Sequence, residues 1–185
     1  MTPKSNFVRN FQDALIERSV ITHVKEPPED FEEAGYGRII RFNSSRTLQN
    51  IITCVKSGLG VESLSVAVPQ AFRRVQAKDD IQISSVGICV GSGSMLNDLD
   101  VDLLVTGELS HHEALAAIEN GKCVIAAFHS NSERGFLKQR MRATLAKQLN
   151  SEIAEAEMEG RWEEGLSTEC EVAVSEVDRD PYQTS

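Results

Sequence analysis

Two stretches gather residues able to do chemistry. In "AAFHSNSERGF", residues 126 to 136, an apolar run ends at His129, and Glu133 follows four positions later. Imidazole nitrogen and carboxylate oxygen suit a borderline divalent ion such as zinc, manganese or iron. Equally, Ser130 with Glu133 has the spacing of a capping box, in which the carboxylate answers the helix dipole with no metal present. Both readings stand on these residues alone, since two ligands do not complete a metal site.

The second stretch is "TGELSHHEALAAIENG", which sets Glu108, His111, His112 and Glu113 in one strand-to-helix connection. Adjacent helical residues point about 100° apart, so at most one of the two histidines can share a centre with Glu108. Ser110 with Glu113 is again a capping-box pattern. Two strand-to-helix turns, each carrying His and Glu, nevertheless suggest a shared polar pocket.

A third candidate is "GICVGSGSML", where Gly91, Ser92, Gly93 and Ser94 join a strand to a short helix and free N–H groups there could cradle an anion. The third glycine of a dinucleotide fingerprint is missing, because Leu96 stands in its place, and no Gly-Lys-Ser/Thr follows. A tight turn that needs two glycines explains the loop as well. Nothing else reads as a catalytic signature: "GSGSM" lacks the final glycine of a nucleophile elbow, and no cysteine sits in a basic setting.

These residues need a scaffold. The runs "VGICV", "VDLLV" and "CVIAAF" each lead into a polar stretch that turns helical, which predicts repeated β-α units and a largely parallel sheet. Upstream, "GRIIRF" and "SLSVAVP" read as strands, and Thr47 to Leu59 as a helix ended by glycine. The spacing also predicts a helix over Phe7–Ile16, an exposed connection through "KEPPEDFEEAGYG", and a boundary near Gly37. From Ser130 a long amphipathic helix is expected, with Phe136, Leu137, Met141, Leu145 and Leu149 inward, and "CEVAVSEVDRDPY" alternates like an antiparallel edge strand. The expected organisation is thus an N-terminal helix and connection over residues 1–36 and an α/β domain over 37–182, its layered sheet carrying helices on both faces.

Composition narrows the function classes. With 19 basic and 28 acidic residues the chain carries a formal charge of -9, which repels a phosphate backbone, so direct nucleic-acid binding is not expected. Cys54, Cys89, Cys123 and Cys170 occur singly, as reduced cysteines of an intracellular protein do. No run approaches the roughly 18 apolar residues of a spanning helix, and the start lacks a signal-peptide core, so no membrane partner is expected. A cytoplasmic protein follows; a mitochondrial presequence fits less well because Asp13 and Glu17 interrupt its basic residues.

In order, "AGYGRIIRF", "VGICVGSGS", "DLLVTGELSHHEALAA", "FHSNSERGFL" and "VSEVDRDPY" resemble the Nif-three-like family, also called GTP cyclohydrolase type-one-like, across roughly residues 18 to 182. The resemblance implies an α/β fold that assembles into dimers and larger rings around a dinuclear metal site, with His129 and Glu133 as ligands. It also implies an N-terminal module, bearing a histidine pair and an "HTxxD"-like stretch, that completes the site. Upstream of His111 this sequence has only His23, so it looks like the C-terminal half of such a protein. The expectation from the resemblance is an incomplete site holding zinc, manganese or iron weakly, self-association, and at most a metal-dependent hydrolase-like activity in which Glu108 or His112 assists as an outer partner or acid/base. The rival expectation is a non-catalytic interaction or scaffold protein, in transcriptional regulation.

Overall fold

A computed structural model describes residues 15–74, 78–162, 165 and 167–181. The described residues divide into two compact units, one reaching to Ser132 and joined by Asp180, the other from Glu133 to Arg179.

The first unit is built on a six-stranded mixed sheet. Its strands are β1 (Leu15–His23), β2 (Gly35–Thr47), β3 (Ser65–Ala67), β4 (Gln82–Ser92), β5 (Leu103–Glu108) and β6 (Cys123–Ala126), ordered β1-β2-β4-β5-β6-β3. The three apolar runs form the parallel centre, β4-β5-β6, as their β-α pattern predicts. The other strands join antiparallel, β1 to β2, β2 to β4 and β3 to β6.

Because successive side chains of a strand face opposite ways, continuous apolar runs sort onto two faces. Leu103, Val105, Cys123 and Ile125 join Ile83 and Val86 on one side, packed against Leu48, Ile51, Ile52 and Val55 of helix α1 (Leu48–Leu59). Leu104 and Val124 face the other side with Leu96, Val101 and Ala117 of helix α2 (His111–Glu119). Helices therefore cover both faces, the α/β arrangement expected. The ends of α1 follow its sequence: the Thr47 side chain accepts from the Asn50 N–H, and Gly60 closes the helix in the left-handed region at φ 68°.

Two local expectations come out differently in this unit. Leu15 and Ile16 lie in β1 rather than in a helix, while the rest of the Phe7–Ile16 segment falls outside the described residues. Gly37 stands inside β2, so the sheet already spans the expected boundary; β1 pairs with β2 from Leu15↔Phe42 to His23↔Gly35.

The second unit, from Glu133, holds all but the first turn of a long helix, and a segment outside any helix or strand. Helix α3 (His129–Phe136) continues through a π-helical turn (Leu137–Met141) into α4 (Arg142–Met158). The expected inward face is not buried: Phe136, Leu137, Met141 and Leu145 are exposed, while Ala156 is buried. The wider π turn shifts the angular spacing away from the 3.6-residue period on which the expectation rests. Along the helix runs "CEVAVS", which belongs to no strand among the described residues. Side chains hold it: Asn150 accepts the Cys170 N–H at 3.2 Å, Arg142 donates to the Val172 carbonyl at 3.0 Å, and Arg134 pairs with Asp178 at 2.9 Å.

Candidate functional site

Parallel pairing explains how the two chemical stretches meet. β5 and β6 run side by side in the register Thr106↔Ala126, so the residues just beyond each strand emerge as neighbours at the carboxyl edge of the sheet. That edge is where open α/β sheets place ligands. There His129 Nδ1 lies 2.8 Å from Glu108 Oε1, both side chains about half exposed. An ionised carboxylate only accepts hydrogen bonds, so a neutral His129 in this pair donates from Nδ1 and presents Nε2 as its acceptor nitrogen.

The chain reaches His129 through an unusual turn. Phe128 has φ 67°, in the left-handed region that a bulky residue rarely adopts. His129 then opens α3, which puts Ser130 inside the helix instead of at its N-cap. The capping-box explanation of Ser130 and Glu133 therefore does not hold as the sequence suggested. Glu133, half-buried, stands one turn along the same helix in the second unit. At α2 the same pattern does form: Ser110 Oγ accepts the Glu113 N–H at 3.3 Å, and Glu113 Oε2 accepts the Ser110 N–H at 2.8 Å. These bonds from Ser110 hold the Glu113 carboxyl below its ordinary range. His112 packs edge-on against His111, ring centroids 5.6 Å apart. Among the described residues no three His, Cys, Asp or Glu side chains gather as a group able to hold a metal ion.

The Gly91-Ser92-Gly93-Ser94 loop sits against this pair. Gly91, at φ 66°, gives its N–H to Ser132 Oγ at 2.8 Å, and Gly93 gives its N–H to the Glu108 carbonyl at 3.0 Å. Thr106 Oγ1 donates to the Gly91 carbonyl at 3.2 Å. Two of the N–H groups an anion would use are thus committed to the protein, and the glycines serve a close crossing of backbones. At Gly107 the crossing is tightest: a Cβ there would stand 2.5 Å from the Gly91 oxygen, 2.8 Å from Ser132 Oγ and 3.0 Å from His129 Cα. Sequence reasoning missed Ser132 and Thr106. In a serine-rich turn no periodicity marks the hydroxyl that is buried, whereas the adjacency of Glu108 and His129 could have been read from a parallel β5-β6 register.

Burial disfavours the thiolate at three of the cysteines. Cys123 is fully buried, and burial followed by the nearby Asp102 charge pushes its thiol up to about 11; burial also raises Cys54 and Cys89. Among the described residues no helix is long and apolar enough to cross a membrane.

Comparison with known proteins agrees with the fold and the motifs. The fission yeast (Schizosaccharomyces pombe) "Protein NIF3 homolog" is 37% identical over 154 residues, which is 83% of this chain and 48% of that protein. The "NGG1-interacting factor 3" of Saccharomyces cerevisiae is 44% identical over 114 residues, 60% of this chain and 38% of that one. The chain therefore spans about half, or less, of the length of these relatives. Among solved structures, the Bacillus cereus protein related to NIF3 superposes with a TM-score of 0.55 at 21% identity, covering 83% of this chain and 36% of that one, a likeness of fold. The Duf34/NIF3 (NGG1p interacting factor 3) family matches residues 5–160, and the chain belongs to that family.

Proposed function

We propose that this chain is a metal-binding member of the family whose centre is only partly furnished by its own residues. The observation that carries the reading is the His129–Glu108 pair, 2.8 Å apart at the carboxyl edge of the sheet. A histidine whose one nitrogen is held by a carboxylate is the usual setting of an imidazole that ligates metal through the other. Glu133 follows at the i+4 position on the same helix, a spacing that lets two side chains serve one ligand. Zinc, manganese or iron fits this donor set, and when bound it would supply a Lewis acid for hydrolysis. With two ligands from this chain, the ion is held weakly and exchanges readily. Glu108 orients His129, and His112, in the strand-to-helix connection that follows Glu108, is the candidate for an outer polar group.

The test is metal content after dialysis against zinc or manganese, for the native chain and for His129→Ala. Low but saturable binding in the native chain, lost in the variant, is expected. Equal, near-zero metal in both would sink the reading.

The second reading is an interaction protein acting through an oligomeric or partner-binding surface. It is favoured by the exposed apolar side chains Phe136, Leu137, Met141 and Leu145 on one helix. The name of the budding-yeast relative states an interaction with NGG1, and a comparable protein partner, in a transcription-related role in cytoplasm or nucleus, is the form this reading takes here. Light scattering of the native chain against Leu137→Lys/Met141→Lys tests it: a particle that stays the same size in both counts against self-association through this face.

A further inference from the structure

We infer that Ser132 is the positioning residue of the His129–Glu108 pair, through a closed ring of hydrogen bonds that includes the glycine loop. The inference rests on the reading of His129 as a ligand, and it adds what aims that ligand.

Ser132 brackets His129. Its backbone N–H donates to the Phe128 carbonyl at 3.2 Å, and its Oγ donates to the carbonyl of His129 itself at 2.7 Å. The same Oγ accepts the Gly91 N–H at 2.8 Å. One buried hydroxyl thus acts as donor and acceptor at once, which neither alanine nor a carboxylate can do. From Gly91 the chain leads two residues on to Gly93, whose N–H holds the Glu108 carbonyl at 3.0 Å. Glu108 Oε1 then meets His129 Nδ1 at 2.8 Å and closes the ring.

The left-handed Phe128 shows why such a ring is needed. A non-glycine residue at φ 67° is strained and persists only where its surroundings over-determine it. Ser132 supplies that determination on both sides of the peptide that follows. The ring therefore fixes His129 as one tautomer, with Nδ1–H toward Glu108. In this arrangement the Gly91–Gly93 loop is a strut between the two residues of the pair.

The experiment is long-range ¹H–¹⁵N spectroscopy of the full chain, at a pH well above the ordinary imidazole value, combined with zinc titration. The native chain should show His129 as a single Nδ1–H tautomer. Ser132→Ala should give a tautomer mixture and weaken zinc about tenfold or more. Ser132→Thr should restore the native spectrum, since a helical threonine hydroxyl can reach the carbonyl three residues back. Thr106→Val is the control: it removes the neighbouring bond to the Gly91 carbonyl and should destabilise the same crossing while leaving the His129 spectrum unchanged. If Ser132→Ala does not fold, Ser132→Cys takes its place, with an intermediate mixture expected.

A single unchanged tautomer in the alanine or cysteine variant overturns the inference, and so does an equal disturbance in Thr106→Val. A tautomer mixture with unaltered zinc affinity leaves Ser132 as the positioning residue and instead removes His129 from the ligands.

Discussion

Replacing Gly107 by alanine tests the crossing on which the site is built. The added methyl would lie 2.5 Å from the Gly91 oxygen, 2.8 Å from Ser132 Oγ and 3.0 Å from His129 Cα. Against an ordinary carbon contact of about 3.5 Å, these are intrusions of roughly 0.5 to 1 Å. Two of the three atoms are backbone, which cannot swing aside as a flexible side chain would. Overpacking costs about 1 to 3 kcal/mol, and two immovable neighbours put this site at the upper end, about 3 kcal/mol. For a chain of this size that corresponds to a fall in Tm of about 6 to 12 °C. Far-UV circular dichroism, with amide exchange over β4 and β5, reads it; fluorescence does not serve, because the sole tryptophan, Trp162, belongs to the second unit. Gly60→Ala is the comparison, since nothing lies within 4 Å of its Cβ position and only the left-handed φ of 68° opposes the change. It should cost about 1 kcal/mol. A Gly107→Ala protein that melts within a degree or two of Gly60→Ala would refute the reasoning.

Other outcomes follow from single residues. The Cys123 thiol, raised from its ordinary 9.0 to about 11 by burial, contributes stability that is complete below pH 9 and disappears as pH rises through about 11. Urea unfolding should therefore lose about 3 kcal/mol across that window, and Cys123→Ala should flatten the loss. The sign reverses for Glu113: its carboxyl is held low by Ser110, so the capping box stabilises above pH 4.5 and fades as pH falls through the lowered value. The protection of the Ser110 amide, its exchange rate relative to the intrinsic rate at the same pH, should fall on acidification in the native chain and be low at every pH in Glu113→Ala. Leu104→Ala, at a side chain with 0% exposure, should cost about 2 to 5 kcal/mol by equilibrium unfolding, whereas Leu145→Ala on the exposed helix face should change stability by less than about 1 kcal/mol.

How much of this the sequence reveals depends on which period dominates locally. The runs ending at Val90, Val105 and Phe128 could be read as a parallel centre because strands buried on both faces are apolar at every position. α1 was legible from its cap and its glycine, features that act within a turn of the residue that makes them. The long helix was not legible as to its face, because exposure there depends on what packs against it, and a π turn breaks the period on which the inference relies. "CEVAVS" alternates as a strand does, yet alternation specifies a surface and not a partner, and here side chains of a helix hold the segment. The site divides the same way. His129 and Glu108 announce themselves by type, and their meeting follows once β5 and β6 are known to be parallel neighbours. Ser132 could not be told from Ser130 by sequence, because the distinction is made by Phe128: its left-handed turn begins the helix two residues earlier than the cap chemistry of Ser130 would have it. That same turn moves Ser130 off the cap and carries Ser132 inward to the Gly91 N–H. The strained residue is thus what converts an ordinary serine-rich helix start into a held histidine, which is why Ser132, and not the more conspicuous His112, is the residue whose loss should be felt first at the pair.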